Sequence, residues 1–143
     1  MKNILFVIVA ITTFFFNIEN ITAQSKFDSW PELKAFHKVM SQTFHPSEKG
    51  DLAPIKERIG EMVEKANALA ASKVPAEFNT KPIIAAVSKL QKDSAKLQKT
   101  INNKADDKKI TSDLNKLHDV FHRIVGLCKK EAEHDHDNHD HQH

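Results

Sequence analysis

The chain has 143 residues with a formal charge of +2, 3 glycines, 5 prolines, no tyrosine and one cysteine. That length holds one domain rather than two. The balance of charge gives no basis for nucleic-acid binding, and a single Cys128 excludes an internal disulfide.

Met1-Lys2-Asn3 is a short positive start, followed by an apolar run from Ile4 to Phe16. Ile21-Thr22-Ala23 then offers a small residue for cleavage before Gln24. These are the three parts of a secretory signal peptide, here residues 1–23. The run falls short of the about 20 residues a membrane span needs, so an uncleaved anchor is the weaker alternative. No cysteine stands at the cleavage site to carry a lipid anchor. The expected mature product is periplasmic or secreted, free of the membrane.

Residues 24–132 read as an all-α, up-down-up-down antiparallel four-helix bundle. Ser29-Trp30-Pro31-Glu32 has the pattern of a capped helix start. Leu33, His37, Met40 and Phe44 follow at spacings of four, three and four, which puts His37 on the buried stripe. His45-Pro46 is expected to close this helix. Asp51 caps a second helix with Pro54 in its first turn, and Leu52, Ile55, Ile59, Met62, Ala66 and Leu69 form its apolar face. It ends before Val74-Pro75, and Phe78 in the following connection tucks under the bundle. A third helix begins between Thr80 and Pro82, with Ile83, Val87, Leu90, Leu97 and Ile101 inward and Ser94 as a polar interruption. Asn102 to Ala105 forms a turn. Asp106 or Asp107 opens the fourth helix, whose stripe is Ile110, Leu114, Leu117, Phe121, Ile124 and Cys128. On that stripe Cys128 is a small buried hydrophobe rather than a ligand.

Residues 133–143 contain His134, His136, His139, His141 and His143 alternating with acidic and amide residues. Such a segment has no apolar face to bury and is expected to be disordered. Its composition is that of a weak metal-binding tract. A purification tag would be an unbroken histidine run, which this is not.

The chemistry concentrates in Leu117-His118-Asp119-Val120-Phe121-His122. Residues at i and i+4 share a helix face, so His118 and His122 can reach one ion. They lie at the flank and edge of the stripe, about 60 and 100 degrees from its centre. Asp119 points another way. Antiparallel packing of the first and fourth helices sets His37 level with His122, and His45 near His118. A buried imidazole at His37 needs a partner, which a metal would supply. The expected ligands are therefore His37, His118 and His122, with His45, Met40 or water completing the shell. Imidazole suits zinc, copper and nickel alike, and Met40 would favour copper(I).

The order of elements from Phe27 to Lys130 resembles the four-helix cytochromes, cytochrome c-prime and its soluble b-type relative. In the c-prime family the last helix carries C-x-x-C-H. Here that register reads His118-Asp119-Val120-Phe121-His122, with His122 on the ligand position and no cysteines, so covalent haem attachment is excluded. The resemblance implies non-covalent haem b as an alternative, with His122 and Met40 axial.

Three readings follow. The first is an exported metal-binding protein for zinc, copper or nickel, serving buffering or an efflux system, with metal ions as its partners and a homodimer allowed. The second is a b-type haem electron carrier. The third is a structural or partner-binding bundle. An enzyme is not expected, because there is no nucleophile with a base, no phosphate loop and no paired acids.

Overall fold

In the computed structural model of the chain the backbone is described over residues 29–139 and the side chains over residues 29–132. The proposed signal peptide lies outside the described residues. Four helices and no strand are found among them: α1 (Pro31–Ser47), α2 (Ala53–Ala71), α3 (Lys81–Asn102) and α4 (Asp107–His139), with a 3-10 turn at Ala76–Phe78 between α2 and α3. Each helix packs on its neighbour in sequence, and α4 closes on α1. The α1/α4 seam has the fewest close backbone approaches of the four. Its gap is filled by rings, with Phe36 and Phe121 at 5.8 Å between centroids.

The stripes expected for α2 and α4 are buried throughout, as are Phe78 and Cys128. Three buried hydroxyls interrupt the core, and each bonds a carbonyl of its own helix. Thr43 Oγ1 donates to Val39 O at 2.9 Å, Ser47 Oγ to Phe44 O at 2.6 Å, and Ser94 Oγ to Leu90 O at 2.9 Å. A buried polar group so satisfied costs little. Trp30 seals one end of the core, stacked on Phe78 at 6.2 Å and donating Nε1–H to Ser72 Oγ at 2.9 Å.

Helix ends differ from expectation in instructive ways. Asp51 does accept the Ala53 N–H at 3.0 Å, and Asp106 that of Lys109 at 2.7 Å, so both acids satisfy first-turn donors. Pro46 does not end α1; it lies inside the last turn. The helix instead stops in a Schellman motif, where Gly50 N–H bonds Ser47 O at 3.0 Å and Asp51 N–H bonds Pro46 O at 3.1 Å. Gly50 takes the left-handed conformation that motif requires, φ +83°. The same motif ends α3, with Lys104 N–H on Ile101 O and Ala105 N–H on Thr100 O. There the left-handed position is held by Lys104, φ 53°. At the other terminus α4 runs on to His139, into the segment expected to lack structure. A helix already nucleated extends at low cost, which is the physical reason its backbone continues there.

Candidate metal centre

The α1/α4 seam sets the site. Phe44 reaches across from α1 and lies flat on the His118 ring, with centroids 3.6 Å apart and planes 7° from parallel. Closer to the Trp30 end, His37 lies flat on Phe121 at 5.1 Å and 7°. The two stacks fix the register: His37 sits beside Phe121 and His122, and His45 follows the ring that covers His118.

His118 and His122 meet through their Nε2 atoms at 3.1 Å, with ring planes 78° apart. One ring donates and the other accepts, so at least one is neutral. Burial, then the His122 charge, hold the His118 ring below the ordinary imidazole range against the pull of Asp119 and Glu48. His37 is lowered too, by partial desolvation of its ring at the rim of the seam and then by His122 and His45. Neutral imidazoles are the form that binds metal.

The sequence reading of His37 needs correction. It is exposed rather than core, and Phe36 and Val39 take the buried positions on either side. Burying a phenyl ring is favourable and burying an imidazole is not, so the helix turns Phe36 inward. The ring of His37 sits at the rim of the seam. His45 is exposed, with Nδ1 3.0 Å from Glu48 Oε2. His122 is exposed and His118 half-buried, the edge and flank positions expected of them. Met40 is fully buried in the core. The side chains of His134, His136, His139, His141 and His143 lie outside the described residues.

The fold therefore brings His37, His118 and His122 to the α1/α4 seam, the last two in contact, with the exposed His45 at the edge of the Phe44 ring. Among the described residues, no three His, Cys, Asp or Glu side chains converge as they stand into a group that would hold one ion. Glu48 is the member that sequence reasoning missed. Its signal was the i, i+3 spacing from His45 across a helix end. Comparisons of the chain with protein-family models, with curated proteins and with solved structures found no match.

Proposed function

We propose that this protein is an exported, non-catalytic up-down-up-down bundle that holds one transition metal ion, zinc, copper or nickel, on the histidine face of α1 and α4. Its role is metal buffering or delivery to an efflux system, with the histidine tail gathering ions. The antiparallel order is supported by the contacts across the seam, where numbers rise along α1 from His37 to Phe44 as they fall along α4 from Phe121 to His118.

The observation that carries the metal reading is the 3.1 Å between the two Nε2 atoms. Two imidazoles each about 2.0–2.1 Å from an ion stand about 3.3 Å apart at the tetrahedral angle and about 2.9 Å apart at a right angle. The pair already lies between those limits. A linear two-coordinate ion would need about 4 Å, so a tetrahedral or square-planar divalent ion fits better. His37 and His45 supply the arms from α1.

The test is metal analysis and thermal unfolding of the chain with the five tail histidines changed to glutamine. A stoichiometric metal, and a rise in Tm with zinc that His118→Ala or His122→Ala abolishes, is expected. A Soret band would replace the metal reading with a b-type cytochrome. No metal and no shift in Tm would leave a structural bundle.

A further inference from the structure

His45 stands in the last turn of α1, directly after the ring that covers His118. Its Nδ1 is 3.0 Å from Glu48 Oε2. A carboxylate only accepts hydrogen bonds, so it keeps the proton on Nδ1 and leaves the Nε2 lone pair free. Metal-binding histidines ordinarily give their second N–H to such a partner, which sets both tautomer and orientation. Glu48 is itself well placed for this. Its backbone N–H bonds Phe44 O at 3.2 Å, at the head of the Schellman turn that ends the helix. The His45 ring and the Glu48 carboxylate both act electrostatically on the His118 ring. Geometry places them near it as well: the His45 ring centroid is 6.1 Å from that of Phe44, whose ring lies on His118, and Glu48 lines one cleft with Phe44 and His118.

We propose that Glu48 is a positioning residue that presents His45, through Nε2, as the α1 ligand of the His118/His122 ion. This rests on the metal reading above and adds the residue that orients its α1 ligand. His45 and Glu48 side chains are 69% and 53% exposed, so the hydrogen-bonded pair can move together onto the ion without disturbing the core. Once bound, the ion ties the end of α1 to the middle of α4, across the seam with the fewest backbone approaches.

The experiment is zinc titration, by calorimetry with a competing chelator, on the full chain carrying the five tail substitutions to glutamine. His45→Ala is expected to weaken zinc at least 10-fold, and Glu48→Ala by about 10-fold, within the 10–100-fold range of such outer partners. Glu48→Gln should restore most of the loss, because its amide oxygen accepts the same Nδ1–H. Glu48→Ala should cost nothing further in a His45→Ala background. All variants should keep the metal-free Tm of the parent, since both side chains are exposed. An unchanged affinity in His45→Ala overturns the proposal. So does an equal loss from Glu48→Ala with and without His45, which would make Glu48 a direct ligand or a general attractive charge. If His118→Ala and His122→Ala also leave zinc binding intact, the metal reading itself has failed, and that pattern differs from either of these.

Discussion

Replacing His118 by phenylalanine separates what this ring does for the fold from what it does for a metal. A phenyl ring keeps the face laid on Phe44 at 3.6 Å and deletes Nε2. His118→Ala removes both. Aromatic pairs contribute about 0.5–1.5 kcal/mol beyond their area. With the lost apolar contact the alanine variant should be destabilised by about 1–2 kcal/mol. At roughly 4 °C per kcal/mol for a domain near this size, that is a fall in Tm of about 4–8 °C. At pH 7.5 without metal, His118→Phe should match the parent within about 0.5 kcal/mol. Acid then distinguishes them. The folded ring protonates less readily than the unfolded one, whose pKa lies near 6.5. The unfolded chain therefore binds more protons below that pH, and stability falls as pH drops through 6.5 toward the lower folded value. His37 acts with the same sign. The parent should lose stability between pH 7.5 and 5, and His118→Phe should lose less. A charged ring over Phe44 would gain a cation–π contact of about 0.5–1 kcal/mol, which pulls the other way. Urea unfolding at the two pH values reads the balance. A phenylalanine variant as unstable as alanine, or a parent that gains stability in acid, would refute the reasoning.

Three further outcomes are expected. Asp113 is 4% exposed and bonded by Lys109 Nζ and by Thr100 Oγ1 at 2.9 Å. Burial pushes its carboxyl up, but these bonds and the Lys109 and Lys96 charges outweigh it and hold it below the ordinary 3.8. Its contribution is present above that pH and lost as pH falls through the lower folded value. Asp113→Ala should cost about 2–3 kcal/mol at pH 7 by urea unfolding, and the gap from the parent should narrow as pH falls below 3.8. Lys104→Gly should stabilise the chain by about 0.5–1 kcal/mol, because a side chain at φ 53° is strained and glycine there is not; an unchanged or lower urea midpoint would contradict that turn. Cys128 is buried, and burial pushes its thiol up to about 11. A thiol reagent at pH 8 should label it far more slowly in the native chain than in denaturant, and equal rates would place it at the surface.

Much of the fold was legible because period alone decides it. In α2 the residues from Leu52 to Leu69, and in α4 those from Ile110 to Cys128, recur every three or four positions and are buried as that recurrence requires. Counting angles from the α4 stripe also placed His118 at the flank and His122 at the edge, so the pair within one helix could be read directly. On α1 two stripes overlap. Leu33 and Met40 belong to both, and the choice between His37 and Phe36 is made by the cost of desolvating an imidazole, which spacing does not encode. What then holds His37 is a ring on another helix, Phe121. Glu48 lay further from reach, because it follows the helix and periodicity has ended there. Its place depends on Pro46 being accommodated and on Gly50 reversing the chain. The avoidance of helical geometry before proline is a preference, and a well-bonded helix end outweighs it here. The half of the candidate site carried by α4 is thus a property of one helix. The half carried by α1 depends on a stack between helices and a turn beyond a helix end, and those exist only once the chain has folded.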